Sequence, residues 1–415
     1  MSTSYYLKYI YVSLLTSGFW GCAMDVVVVG GGIIGLFSAY YIVRRGFNVL
    51  VVDAGHVKAS RFNAGFIVPS FALTTRFTLL DAIKALLGLG PVRVSIPGPG
   101  LSWLFNAYRS VSTTGLSAVR ELGYRSLELY EELFSREHLD VDATRGVIAL
   151  FLRREDAEDF SKSVRGDLID SRELESYGYR GFEAGIFVRE ELALDPEKLH
   201  DSMIRALEDY GVRFINDRVL RIQEEERVKL SLAKTGVIEA DYSILASGSW
   251  TRDLTAPLGY NPRVEPARGL VVKMPVRGDI IGKPGLMEDY GVAVQQHKST
   301  GILRITGFFE LLGYSGNWSR SRVEWLLDKV RRHLAIPREV RFEELELTTG
   351  FRPCTPTMTP VIGHIPGTMK IIVATGHCRL GLTLAPATGE LVADIIEGSK
   401  PKLSWEAVKE LAPRR

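Results

Sequence analysis

The stretch from residue 25 to residue 53, DVVVVGGGIIGLFSAYYIVRRGFNVLVVD, decides the fold. Strand-type residues Asp25 to Val29 run into a glycine cluster, and an apolar helix pattern begins at Ile33. A second apolar strand, Phe47 to Val52, ends at Asp53. This is a βαβ unit carrying GxGxxG as Gly30, Gly32 and Gly35, with an acid 18 residues beyond Gly35. Gly30 permits the tight turn, Gly32 lets backbone approach a pyrophosphate, and Gly35 lets helix pack closely on strand. The diphosphate would rest on the free N–H groups and positive dipole of the first turn, at Ile33 and Ile34. Asp53, followed by Ala54, would accept a hydrogen bond from a ribose hydroxyl, and its charge disfavours a 2′-phosphate there. The motif predicts a dinucleotide site and leaves FAD and NAD both open.

Three more stretches fit around that site. Ser60, Asn63, Ala64 and Gly65 lie in a non-periodic segment, 56–70, that suits a loop along a cofactor, with an ordinary surface loop as the alternative. The strands around Val212–Ile215 and Arg218–Ile222, the latter containing Val219, precede an apolar strand, Tyr242 to Ala246. That strand ends in a Gly/Ser turn at Ser247 and Gly248, ahead of Trp250, and delivers the turn to the cofactor. Near the C-terminus a strand (371–374), a loop (375–383) and a helix (about 384–396) bring Gly376, His377, Gly381, Leu382 and Thr383 to a second helix N-terminus.

With 415 residues the chain is long for one core, so two domains are expected. The net charge of +2, with both signs plentiful, gives no nucleic-acid footprint. Cys22, Cys354 and Cys378 are far apart without a CxxC, so neither a disulfide framework nor a zinc or iron–sulfur site is expected. Asn and Gln number only nine together, a composition that leans towards a hot habitat.

Residues 1–23 are apolar and aromatic with a single Lys8. A start assigned too early (Met24 precedes the first strand), a membrane-surface segment and a cleaved signal all remain open. The expected location is cytoplasmic, with attachment to the cytoplasmic membrane face as the alternative. Residues 76–112, rich in Leu, Phe and Trp around a Gly/Pro run, read as core helices or as a lid, a partner surface or a membrane-facing patch. An amphipathic helix is expected from Ser117 to His138 and a strand at 146–153. A further helix opens with Asp195 as N-cap and Pro196 at its first position. From Pro262 to about Thr348 strand-like runs dominate, broken by one helix in which Ser321 and Glu324 form a capping box. The reading is an α/β protein: a Rossmann-type cofactor domain (24–75, 195–258 and 349–412) with an inserted β-rich α+β substrate domain (76–194 and 259–348).

In order along the chain, GGGIIG, SxxNAG, the A-x-G-x-W turn at 246–250, TGFRPCTP and ATGHCRLG resemble the FAD-dependent amine oxidoreductases. Glycine oxidase, sarcosine oxidase and D-amino-acid oxidase belong to that superfamily, and the motifs are most similar to those of D-amino-acid dehydrogenases. Thr357 stands where that motif has Asp, and Arg379 where it has a small neutral residue. The resemblance implies non-covalent FAD and an amino-acid amine that gives its α-hydride to flavin N5, with the imine hydrolysing afterwards. It also implies a site. Arg352 in TGFRPCTP would grip the substrate carboxylate, since a planar fork matches a carboxylate. Tyr290 would place a hydroxyl near that carboxylate, Arg268 would be a second cation, and His377 would lie close to the flavin ring. Gly350 falls near the place where some relatives attach FAD through cysteine.

The leading expectation is a dehydrogenase of D-amino acids, D-proline among them, that passes electrons to a quinone or dye. An oxidase or dehydrogenase of glycine, sarcosine or L-proline is the nearest rival. A flavin-carrying electron-transfer subunit of a larger complex or oligomer is a third reading.

Overall fold

The computed structural model describes residues 24–55, 59–73, 85, 90–94, 103, 113–336 and 341–414. The leader 1–23 and most of the apolar stretch 76–112 lie outside the described residues.

The first strand, Asp25–Val29, sits inside a six-stranded sheet and pairs in parallel with Asn48–Asp53 on one side and Tyr242–Leu245 on the other. Arg213–Asn216 and Ile371–Thr375 extend it in parallel, and Val361–His364 closes one edge antiparallel. Val26 to Val29 are all buried because both faces of the sheet are covered, as parallel sheets require. Side chains alternate between the faces. Val26 and Val28 pack among helices Ile33–Val43, Thr113–Glu137 and Gly381–Glu397, whereas Val27 and Val29 pack on a three-stranded antiparallel sheet spanning 219–240.

The remaining described strands form a ten-stranded mixed sheet. Its long strands, Glu265–Pro275 and Ile302–Leu311, pair antiparallel. Helix Arg320–His333 lays Val323, Leu326, Leu327 and Val330 against one face of this sheet. No helix among the described residues is long and apolar enough to cross a membrane.

The expected division of the chain needs three corrections. Helix Thr113–Glu137, expected in the substrate domain, buries Val119, Leu122, Tyr130 and Leu133 against the Rossmann helices. Among the described residues its apolar face is covered there. Strand Glu346–Cys354, which includes Gly350 and Arg352, pairs with Glu265–Pro275 and so belongs to the large sheet, although 349–412 was expected in the cofactor domain. The short strand Phe66–Ile67 also joins that sheet, through Ala184–Ala193. Of two expected helix starts, one forms and one does not. Asp195 caps Pro196–Asp209 as expected, accepting from Glu197 N at 2.9 Å. The Ser321–Glu324 capping box does not form: the helix starts at Arg320, which pairs with Glu324 at 2.8 Å.

Candidate functional site

The glycine cluster is built by contact. Gly30 has φ +114°, and a Cβ there would lie 2.4 Å from Ala246 O. A Cβ on Gly35 would lie 1.8 Å from Gly30 O, so the helix can start this close to the strand only with glycine. Gly31 N donates to Asp53 Oδ2 at 2.6 Å, and Gly55 N to Asp53 Oδ1 at 2.8 Å, which fixes the acid beside the turn. The helix that follows has Gly32 at its N-cap, no side-chain cap and no acid in its first turn, leaving its N–H groups for an anion. Ser60 Oγ is buried without a hydrogen-bond partner among the described residues, 3.5 Å from where a Gly32 Cβ would sit. An orphaned hydroxyl beside an uncapped helix N-terminus fits a bound diphosphate.

From this cradle a cavity of about 1200 Å³ runs to the large sheet, more than the roughly 300–1,000 Å³ of a typical small-molecule site. That is room for a dinucleotide and a substrate together. At the cradle end Gly30, Gly32, Ile33, Ile34, Asp53 and Ala54 line it. Ser60, Asn63 and Ala64 line it too, as do Val219 and Ala246, Ser247, Gly248 and Trp250. At the far end are Tyr290, Arg352, His377, Gly381 and Leu382.

Five residues expected to touch the cofactor do not line the cavity. Gly35 packs on Gly30 as above. Gly65, with φ +77°, lies where a Cβ would be 2.1 Å from Leu194 O. Gly350 holds the same kind of close approach to Phe62 O, and Gly376 to Thr355. Thr383, buried in the first turn of Gly381–Glu397, is engaged by Phe66 O and Val68 N. These residues shape the wall from behind.

Arg352 reaches the cavity from strand Glu346–Cys354. Its guanidinium lies over Gly269, where a Cβ would be 2.3 Å from Nη2, and Nη1 donates to Phe308 O at 2.7 Å. Burial, and then repulsion from Arg379, push its pKa down to about 10. A cation enclosed beside another cation is a site for an anion.

Arg268 corrects the expectation of a second substrate cation. It neighbours Gly269, and alternation turns it to the other face of the strand. There it pairs with the buried Glu310 at 2.6 Å, donates to Ser315 O and Asn317 O, and stacks on Trp318. Tyr290 lines the cavity, but its hydroxyl meets His333 Nε2 at 3.1 Å. His333 Nδ1 is 2.6 Å from Arg180 O, which can only accept. The Tyr290 hydroxyl is therefore already engaged, by a histidine held from its other ring nitrogen.

His377 Nε2 lies 3.0 Å from Thr388 Oγ1, whose proton goes to Leu384 O. The ring must then donate from Nε2, which leaves Nδ1 an acceptor; Nδ1 is buried with no partner among the described residues. Burial holds this histidine down to about 3, so it is neutral. An orphaned acceptor here fits a hydrogen-bond donor on a bound cofactor.

The cysteine expectation is overturned. Cys354 and Cys378 form a disulfide, with Cα atoms 4.3 Å apart across 24 residues of sequence. Cys354 ends its strand in a β-bridge to His377, so two distant segments become neighbours without any sequence signal. The bond ties the Arg352 strand to the Cys378–Leu380 turn and its Arg379.

Sequence reasoning passed over Gly269, Phe308 and Glu288. Glu288 sits two residues before Tyr290 in the MEDY segment and lines the cavity. Nothing in the local sequence marked Gly269 or Phe308, since their roles arise across the pairing of two strands.

Comparison with known proteins adds three findings. The model of the family described as FAD dependent oxidoreductase matches residues 25–395. The D-amino acid dehydrogenase of Neisseria gonorrhoeae (strain NCCP11945) is 26% identical over 92% of this chain and 97% of its own length. That of Rhizorhabdus wittichii is 28% identical, over 92% and 98%. Among solved structures, glycine oxidase from Geobacillus kaustophilus superposes with a TM-score of 0.73 at 20% identity, covering 95% of this chain and 99% of its own. L-proline dehydrogenase from P. horikoshii gives 0.68 at 19% identity, covering 94% and 97%.

Proposed function

The chain belongs to the FAD-dependent oxidoreductase family, and on that premise we propose that it is a dehydrogenase of D-amino acids, D-proline being one candidate substrate. Bound FAD supplies the acceptor of the substrate's α-hydride. The uncapped helix at Ile33 and Asp53 would hold its diphosphate and ribose, and Ser60 and His377 would meet its polar groups. Arg352 would bind the substrate carboxylate in a bidentate fork and fix the α-carbon in the cavity. Tyr290, which lines the same cavity, would place its hydroxyl near that carboxylate. A quinone or dye is the proposed electron acceptor.

The observation that carries the reading is Arg352. A guanidinium seated over Gly269 lines the same cavity as the glycine cradle. The relatives named D-amino acid dehydrogenase support the substrate class.

The test is an anaerobic absorbance spectrum before and after adding D-proline, L-proline, D-alanine, glycine and sarcosine separately. Bleaching of the flavin by a D-enantiomer is the expected result. Bleaching by glycine, sarcosine or L-proline alone would replace the proposed substrate, and peroxide formation in air would make the enzyme an oxidase.

A further inference from the structure

Glu288 opens the short turn Glu288–Tyr290 that follows strand Gly285–Met287, and it lines the same cavity as Arg352. Its Oε1 is buried and has no hydrogen-bond partner among the described residues. The other described acids on the cavity wall are differently placed. The amides of Gly31 and Gly55 occupy Asp53; those of Lys234 and Thr235 occupy Asp217. Leu152 N holds Asp289, and Asp253 is exposed. Glu288 alone among them presents a buried, unengaged oxygen at the substrate end.

Resting on the function proposed above, we infer that Glu288 receives the substrate's α-ammonium group and takes one proton from it, so that the free amine is the species oxidised. An amino acid arrives as a zwitterion, with a carboxylate for Arg352 and an ammonium that needs an acceptor. While nitrogen carries the extra proton, its lone pair is unavailable to stabilise the cation that develops as the α-hydride leaves. One proton moves from nitrogen to Glu288 Oε1, the N–H bond breaking as the O–H bond forms. The hydride then leaves the α-carbon with its electron pair, and the C=N bond forms from the nitrogen lone pair. FAD is the oxidant and the amine is oxidised by two electrons.

The charges around Glu288 suit this task. Burial pushes its carboxyl up to about 7; Arg379, from the Cys378–Leu380 turn, pulls it down, and Asp289 in its own turn raises it. Arg352 lies close enough to Arg379 to feel its charge, and Lys329 of helix Arg320–His333 sits over the Tyr290 ring at 5.6 Å. A base that titrates near neutrality is matched to accepting and returning a proton.

The experiment uses the FAD-loaded enzyme, a substrate that bleaches it, and rapid anaerobic mixing from pH 6 to 10. In the wild type the bleaching rate should rise through a limb near pH 7. Glu288→Gln should slow bleaching about 100-fold at pH 7. Its limb should move up to the substrate amine's own range, and it should approach the wild-type rate at pH 10. Benzoate, which has the carboxylate and no amine, should perturb the flavin spectrum of Glu288→Gln at concentrations no higher than in the wild type. Glu288→Asp should keep the wild-type limb at a lower rate, and it serves if the Gln variant does not fold. An unchanged pH profile in Glu288→Gln, or loss of benzoate binding along with the rate, overturns the inference. Failure of every amino acid to bleach the wild type would instead overturn the functional reading beneath it.

Discussion

The Arg352 guanidinium donates to the carbonyl oxygen of Phe308 at 2.7 Å, and Phe308 holds a left-handed backbone conformation, φ +68°. That conformation costs a phenylalanine about 1–2 kcal/mol, offset here by contacts that over-determine it. The Phe308 ring stacks on Trp318, and Arg322 lies 4.0 Å from its centroid. Across the sheet the register slips between Arg268 and Leu270, a bulge that re-aims the local backbone. The arginine is thus aimed by a deformation of the neighbouring strand.

Arg352→Ala should raise KM for the amino acid at least about 30-fold, from loss of a charged pair worth about 2 kcal/mol or more. FAD should remain bound, since the diphosphate cradle is built elsewhere. Steady-state kinetics together with the flavin-to-protein absorbance ratio check this, and a variant that loses its flavin would sink the substrate role.

Gly269→Ala tests the same grip from beneath. The added methyl would lie 2.3–2.6 Å from the guanidinium atoms of Arg352, which is the far end of a flexible chain and can move. The fold should survive, while the displaced guanidinium should lower kcat/KM by about 100-fold. A melting curve and kinetics on the same preparation separate the two effects.

Gly30→Ala should remove the cofactor. Alanine is strained at φ +114°, and its methyl would meet backbone at Ala246, which cannot swing aside as a side chain can. The expected product is protein with little bound flavin, read by absorbance after gel filtration. Full flavin occupancy would contradict the placement of the diphosphate.

The Cys354–Cys378 bond closes a loop across a separation of 24 residues, and a loop of that length stabilises the fold by about 3 kcal/mol in the chain-entropy model. Replacing both cysteines by serine should lower the melting temperature of the FAD-loaded protein. A reductant should do the same to the wild type and have no effect on the double variant. Free-thiol titration of unfolded protein, with and without prior reduction, shows whether the bond is present.

His377 makes acid sensitivity predictable in sign. Burial holds it down to about 3, below its ordinary value, so between that value and about 6.5 the unfolded chain binds a proton that the folded chain does not. Its contribution to stability is therefore complete above about pH 6.5 and is lost as pH falls, by at most about 1.4 kcal/mol per pH unit. Urea midpoints at pH 4.5 and 7 should fall further for the wild type than for His377→Asn. Equal shifts would mean that the ring is protonated when folded.

The sequence by itself determined the nucleotide-binding half. A strand, a glycine turn, a helix and a terminal acid are adjacent in the chain, so local sterics and the alternation of Val26 to Val29 specify them. The family order of motifs likewise pointed to Arg352 and His377. Only the tertiary structure decided what surrounds them. Whether Arg268 or Arg352 faces the cavity depends on strand alternation against Gly269. The Cys354–Cys378 bond depends on a bridge between segments 24 residues apart, and the placement of helix Thr113–Glu137 on which apolar face remains uncovered. Those are pairings between distant segments, and local residue patterns carry no record of their partners.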